Sequence, residues 1–389
     1  MNRLFPILPL LLAFLSARGE NGDLPGEARL LLPPAIHALE RLEANLYFEN
    51  AFLLLNPAAV VPDVVSARGA QQNARWTWTP KPEDVGDHAL RLELRDGGNA
   101  VVARASTTVR VRPRALASAP DRPLSLLIVG DSLTAASVYP ARVLELAKED
   151  GLPLKLVGTR GPGAEEGKPL GEVRHEGYGG WTAKRFATHY TGKARGGPAK
   201  ECGSPFLYQD PSDEKPRFDL ARYYGEFNEG AAPDFVTILL GCNDTFHATD
   251  ETIEERIDLF VRHTETLLAQ IREAGADTRI GLLLPMPPAA SQDAFGANYG
   301  SNQTRWQYLR NRHRLVGRMV ETFSGREKAG IDLVPAHLNL DPVHGFPSAT
   351  APAHARTETE VTRQNNGVHP SPAGYKQIGD AVYAWLRGV

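Results

Sequence analysis

The stretch Leu126–Ala147, LLIVGDSLTAASVYPARVLELA, passes from the apolar run Leu126–Val129 through Gly130-Asp131-Ser132 into a segment whose apolar residues recur at helical spacing. A short, continuously apolar run that turns at once into a helix is the repeating unit of a parallel α/β sheet. Open sheets of this kind bind their ligands beyond the carboxyl ends of the strands. The polar corner at Asp131 and Ser132 therefore falls where a ligand is expected. A serine there is either the cap of the following helix or a nucleophile, and this corner alone does not separate the two. The wording is not the G-x-S-x-G elbow of the α/β-hydrolases.

Further along the chain the same alternation continues. Apolar runs at Leu154–Val157, Phe235–Leu240, Ile280–Leu284 and Ile331–Val334 read as strands, and Tyr139–Glu149, Glu251–Ala274, Arg305–Phe323 and Pro372–Leu386 as helices. In the second helix Ile253, Ile257, Phe260, Leu267, Leu268 and Ile271 keep the helical period. Alternating strands and helices predict a doubly wound parallel sheet. Three long insertions, Ala183–Ala232, Met286–Thr304 and Asn339–Asn366, interrupt it. Segments of this length either shape a binding site or merely decorate the surface.

Towards the N-terminus the texture changes. Residues 25–113 carry period-2 patterns: Trp76 and Trp78 alternate with threonines, His88–Asp96 alternates apolar and polar residues, and Asp96–Asn99 is a turn. Such segments predict a small β-sandwich. Residues 114–123, rich in Pro, Ala and Arg, read as a linker to a domain spanning 124–389. With so few large apolar residues in the linker, the second domain is expected to fold without the first. The stretch Pro82–Asp96 resembles the later strands of an immunoglobulin-like module. A packing or carbohydrate-binding role fits it.

Residues 1–19 have the form of a signal peptide: Arg3, an apolar run from Leu4 to Leu15, then Ser16, Ala17 and Gly19. Export to the periplasm or outside the cell is the expectation. No later stretch approaches the roughly 20 apolar residues of a membrane span. The chain of 389 residues carries a formal net charge of −3, with 42% hydrophobic and 23% charged residues. No basic run points to nucleic acid. The two cysteines, Cys202 and Cys242, make no disulfide scaffold, and an exported protein can either join them or bury them free.

Three more stretches carry candidate chemistry. In RHEGYGGWTA, Arg174–Ala183, the pair Gly179-Gly180 lets the backbone approach a ligand and aim an N–H at it. The run Phe235–Leu240 delivers Gly241-Cys242-Asn243-Asp244, and the Asn243 amide is a donor for an oxyanion. Near the C-terminus His369 precedes Pro370 and a terminal amphipathic helix, where it can reach across the sheet to Ser132.

Together the four stretches resemble the SGNH, or GDSL, hydrolases: GDSL at 130–133, GYGGWT at 177–182, GCND at 241–244 and GVHPSPAGY at 367–375. The wording around Gly179-Gly180 is similar to bacterial secreted carbohydrate esterases. The resemblance covers residues 124–389. It implies a three-layer α/β/α, flavodoxin-like domain with a parallel sheet, a serine nucleophile, and neither metal nor cofactor. It assigns Ser132 as nucleophile and His369 as base, with the Ser132 N–H, the Gly180 N–H and Asn243 as the oxyanion hole. On this reading Ser132 both ends the strand and attacks the acyl carbon, with Asp131 in support.

One position departs from the family pattern. An aspartate three residues before the histidine is expected, and Asn366 stands there. Three arrangements compete to orient His369: the side-chain oxygen of Asn366, a backbone carbonyl, or a carboxylate from elsewhere, of which Asp341 in Asp341-Pro342-Val343-His344 is one. The expected activity is deacylation, foremost deacetylation, of a carbohydrate, with Trp181 and Trp306 as surfaces for sugar rings. A lipase, lysophospholipase or general short-chain esterase would instead need an apolar acyl trench. A catalytically weak glycan-binding protein is the alternative of another class.

Overall fold

The computed structural model describes residues 30–389 apart from 117, 119, 169 and 194–196. The expected signal peptide lies outside them. Five parallel strands form the main sheet: Leu124–Gly130, Leu154–Val157, Phe235–Leu239, Arg279–Leu283 and Ile331–Val334. Numbered along the chain, they lie in the order 2-1-3-4-5, which is the flavodoxin-like arrangement. A two-residue strand, Glu176–Gly177, adds to the first strand beside Val129 and Gly130. The direction of winding reverses between the first and third strands, so the crevice beyond their carboxyl ends is the expected ligand position.

The first strand shows why its sequence reads as unbroken apolar. Leu126 and Ile128 face one layer, against Tyr139 and Val143 of helix Val138–Glu149 and Ile378, Val382 and Trp385 of helix Pro372–Gly388. Leu127 and Val129 face the other, against Ile257, Phe260 and Leu267 of helix Ile253–Ala274 and Leu315 and Met319 of helix Arg305–Phe323. With both faces buried, alternation disappears. The domain is thus three-layered, as expected.

The N-terminal domain is two facing sheets. Ala35–Leu39, Val101–Arg112, Gly86–Arg95 and Val61–Ser66 form one, and Ala44–Tyr47, Arg75–Trp78 and Ala70–Gln71 the other. Trp76, Trp78, Leu90, Leu92, Val109 and Val111 fill the space between. Two strands were hidden from pattern reading: Ala35–Leu39 is buried at every residue, and Val61–Ser66 is an open edge with a proline.

The junction between the domains differs from a simple linker. Leu338 of the α/β domain belongs to the β-domain core, and Leu39 and Leu42 belong to the α/β core. The amide of buried Asn50 donates to the carbonyls of His337 and Leu340, both at 2.8 Å. The Asn45 N–H donates to Asn339 Oδ1 at 2.8 Å. Arg114 is held by Asp150, and Arg387 donates to the carbonyls of Pro113, Arg114 and Ala115. Linker composition carries no information about these side-chain bonds, so the expectation of independent folding is not what the structure supports. Cys202 and Cys242 are free and buried. Among the described residues no helix is long and apolar enough to cross a membrane.

Removing the Asn50 amide strands two carbonyls at a buried interface, a loss of about 1–3 kcal/mol. Asn50→Ala should lower the urea midpoint accordingly, and residues 114–389 alone should be less stable than the full chain by more than that. Equal stability of the truncated and full chains in urea would show that the interface contributes nothing.

Candidate active site

The GDSL corner resolves the ambiguity at Ser132. A Cβ on Gly130 would lie 2.0 Å from Thr134 Oγ1 and 3.0 Å from the Leu239 carbonyl, so the corner is too tight for a side chain. Asp131 caps helix Ser132–Ala135: its Oδ1 accepts the Leu133 N–H at 2.9 Å. The strand ends at Gly130 and the cap is Asp131, which corrects the reading that Ser132 ends the strand and leaves its other expected role, attack on the acyl carbon, untouched. The Ser132 hydroxyl is left for His369, whose Nε2 lies 2.9 Å from Ser132 Oγ.

His369 is set by its loop. Asn366 Oδ1 accepts the N–H groups of Val368 and His369, at 3.1 and 2.9 Å. A Cβ on Gly367 would meet the Phe295 ring at 2.7 Å. Ser371 and Pro372 then start the terminal helix. Asn366 thus folds the turn that presents the imidazole, and its oxygen does not face Nδ1. Asp341 is engaged elsewhere: its Oδ1 accepts the N–H groups of Val343 and His344, and its Oδ2 the Tyr47 hydroxyl. No side chain or carbonyl among the described residues accepts from His369 Nδ1. Burial alone then governs the ring and holds its pKa below the usual 6.5.

The second and third blocks lock onto the first. The Tyr178 N–H donates to the Gly130 carbonyl at 3.0 Å. Gly180 has φ +74°, with open space where a Cβ would stand, so glycine is needed for the backbone shape. Asn243 Nδ2 donates to the Trp181 carbonyl at 3.0 Å and to Asp131 Oδ2 at 3.2 Å. Asp244 accepts the Ala183 N–H at 3.1 Å. The N–H groups of Ser132 and Gly180 meet no acceptor among the described residues. Burial pushes the Asp131 carboxyl up to about 7. Asp244 is likewise pushed up to about 7 by burial, with the Asp131 charge adding.

Sequence reasoning misassigned one aromatic residue and missed others. Trp181 is fully buried, stacked on Tyr178 at 4.3 Å with Nε1 donating to the Ala199 carbonyl, so it offers no face to a sugar. Trp306 is half-buried on the first turn of its helix. Half-buried Phe246 and Tyr299, with centroids 5.1 Å apart, instead join the aromatic group around Cys242 and Val368, the chain neighbours of Asn243 and His369.

Two buried polar residues also went unread. Glu176 accepts from the Thr159 N–H and hydroxyl and from the hydroxyls of Tyr178 and Tyr223. His175 Nδ1 accepts the Gly177 N–H at 3.0 Å, so its Nε2 donates to Ser137 Oγ at 2.8 Å. Burial, with the Arg160 charge adding, holds His175 down to about 3 and keeps it neutral. A charged residue amid apolar neighbours, as in HEGYGG, is the signal that could have found them. A cavity of about 450 Å³ has Ala135, Ser137, Arg160, Glu165, His175 and Gly179, the chain neighbour of Gly180, among its walls.

A family model described as the GDSL-like lipase/acylhydrolase family matches residues 128–377. No curated protein matches the sequence. Among solved structures, the chain is similar to a family 3 carbohydrate esterase from Talaromyces cellulolyticus (15% identity, 68% of this chain and 96% of that one, TM-score 0.39). It is also similar to a Clostridium thermocellum family 3 carbohydrate esterase (17%, 67% and 94%, 0.40). A third is described as a putative platelet activating factor from Streptococcus pneumonia (15%, 68% and 85%, 0.36).

With no carboxylate on Nδ1, His369 should titrate below 6.5 when its ring protons are followed by NMR. Asn366→Asp keeps an acceptor oxygen for the turn and adds a negative charge, so it should raise that pKa. Asp341→Ala should leave the titration unchanged and lower stability. A fall in the His369 pKa on removing Asp341 would place that carboxylate beside the ring after all.

Proposed function

Because the chain belongs to the GDSL-like lipase/acylhydrolase family, we propose that it is a serine esterase that removes small acyl groups, acetyl foremost, from a carbohydrate. The observation that carries this is the 2.9 Å contact between Ser132 Oγ and His369 Nε2 at the switch point of the sheet. A serine hydroxyl is a weak nucleophile and needs an adjacent neutral base. His369, held neutral by burial, accepts the Ser132 proton as Oγ attacks the acyl carbon. The carbonyl oxygen becomes an oxyanion that the free N–H groups of Ser132 and Gly180 receive. Asn243 joins them by yielding the longer of its two contacts, that to Asp131. His369 then passes its proton to the departing alcohol, and water repeats the sequence on the acyl-enzyme.

The walls on either side favour a sugar as that alcohol. One is the cavity with Arg160, Glu165 and Ser137, and the other holds Phe246 and Tyr299. Hydroxyls find donors and acceptors on the first, and a ring face finds aromatic surface on the second. A lipase would call for a continuous apolar trench in place of the charged pair Arg160–Glu165. Export follows from the leader-like residues 1–19, which suits a polymeric glycan outside the cell.

Ser132→Ala should reduce hydrolysis of an activated acetyl ester to background while leaving the melting temperature unchanged. Asn243→Ala should lower kcat about 100- to 1000-fold. On a panel of acetylated glycans and phospholipids, the purified protein should release acetate from a glycan. Turnover of phospholipids alone would sink the carbohydrate reading.

A further inference from the structure

A second cavity, of about 960 Å³, lies where the β-domain meets the hydrolase domain. Its walls include Phe48, Phe52, Asn73 and Arg75 from the β-domain and Asp341 and His344 from the hydrolase domain. The volume is of the order of a ligand site and far exceeds what a departing acetyl group requires. Its two walls are fixed relative to one another by the buried amides of Asn45 and Asn50, so the cavity is preformed.

Its chemistry is specific. Phe48, Phe52 and Val60 give an apolar floor. Around it stand donors and acceptors of both kinds: the Arg75 guanidinium, the Tyr47 hydroxyl, the Asp341 carboxylate and the exposed side chains of Gln72, Asn73 and His344. Arg75 meets Glu43, and Glu49 meets Arg305, while the Asp341 carboxylate is held by the Val343 and His344 N–H groups and the Tyr47 hydroxyl. A polyanion therefore finds no unpaired cation among these residues, a cationic peptide finds a carboxylate that is already bonded, and a lipid chain would strand the polar rim. An uncharged ligand with apolar faces and many hydroxyls satisfies both parts.

Its position joins it to the site. The cavity lies past the carboxyl end of the edge strand Ile331–Val334, on the same end of the sheet as Ser132. The two strands are three sheet positions apart, about 14 Å at the usual strand spacing. The loop that forms its hydrolase wall is bonded to the segment bearing His369. Gln364 Nε2 donates to the carbonyls of Pro342 and Val343 at 2.8 and 2.7 Å, and the Ser371 N–H donates to the Gly345 carbonyl at 2.8 Å.

The geometry points to this interdomain cavity as a subsite for a neutral oligosaccharide stretch of the same glycan whose ester lies at Ser132, several sugar units from the bond that breaks. This rests on the carbohydrate-esterase reading above and gives the β-domain a part in substrate choice. Binding at a remote subsite that is equal in ground and transition states lowers KM without changing kcat.

The test fills the cavity without removing a hydrogen-bonding side chain. Ala58→Trp and Ala74→Trp each project from an exposed part of the wall. In the full chain, each should raise KM for an acetylated polymeric glycan about tenfold with kcat unchanged. Neither should alter kcat/KM for a small activated acetyl ester. In a Ser132→Ala background, deacetylated oligosaccharides of the preferred glycan should bind by calorimetry, and the Trp variants should abolish that binding. If the parent deacetylates the glycan and the filled variants keep its KM, the subsite is refuted while the esterase reading stands. If the parent deacetylates no glycan, the carbohydrate-esterase reading falls and the subsite with it.

Discussion

The buried carboxylate of Asp131 is the constraint on which the rest of the site depends. One of its oxygens ends the first strand's corner by capping Leu133, and the other accepts the Asn243 amide from the end of the third strand. The first bond releases Ser132 from the capping role that its position invites. The second ties the two strand ends that flank the switch point, so before substrate enters, the proposed nucleophile and the proposed oxyanion donor are placed by a single side chain. Asn243 in turn holds the Trp181 carbonyl, which positions the exposed turn at Gly179-Gly180. Replacing Asp131 by serine would still cap the helix, but it would lose the reach to Asn243. That is why an aspartate suits the place before the serine.

The sheet, its layers and the four site blocks were legible because each leaves a local mark. Leu154–Val157, Ile331–Val334 and Arg305–Phe323 occupy the bounds that period alone gives. Roles that depend on which atom a side chain faces left no such mark. Asp131 and Ser132 are both good caps by type, and only the backbone angle decides between them. Asn366 stands three residues before His369, as an orienting acid would, yet its oxygen turns to the backbone. Trp181 reads as a ring for sugar, but an aromatic residue after a glycine turn is equally a plug for the core, and here it is one. The supporting pair His175 and Ser137, 38 residues apart, is visible only in three dimensions.

The β-domain makes the same point at the level of domains. Its alternating strands announced a sandwich, and its composition gave no sign that the sandwich was anything but tethered. Besides Leu338, Leu39 and Leu42, what joins it is a set of polar side chains, Asn45, Asn50, Tyr47 and Asn339, which reads as ordinary surface in one dimension. Buried hydrogen bonds of this kind fix orientation more strictly than apolar contact does, because a small shift strands a donor. A rigid junction gives the cleft at the carboxyl end of the edge strand a defined shape, which a flexible tether could not.

The titrating groups of the site lean in a common direction. Burial pushes Asp131 and Asp244 up to about 7 and pushes His369 below 6.5. All three shifts penalise charge, so the site is poor in fixed charge, as suits a neutral substrate. The two acids have raised folded-state values. The folded protein therefore holds more protons than the unfolded chain between about 4 and 7, and their contribution to stability falls as pH rises through that window. The proposed base runs the other way: its lowered value keeps it neutral, and able to accept the Ser132 proton, into mildly acidic solution. An aspartate on Nδ1 would stabilise the imidazolium formed during attack, and in a Ser–His–Asp protease its replacement by Asn costs about 10⁴-fold in turnover. It would also raise the His369 pKa and narrow the range at the acid end. On the proposed mechanism, a dyad without that carboxylate would give up part of the rate for a base that stays available at lower pH, where the buried acids are also least costly to the fold.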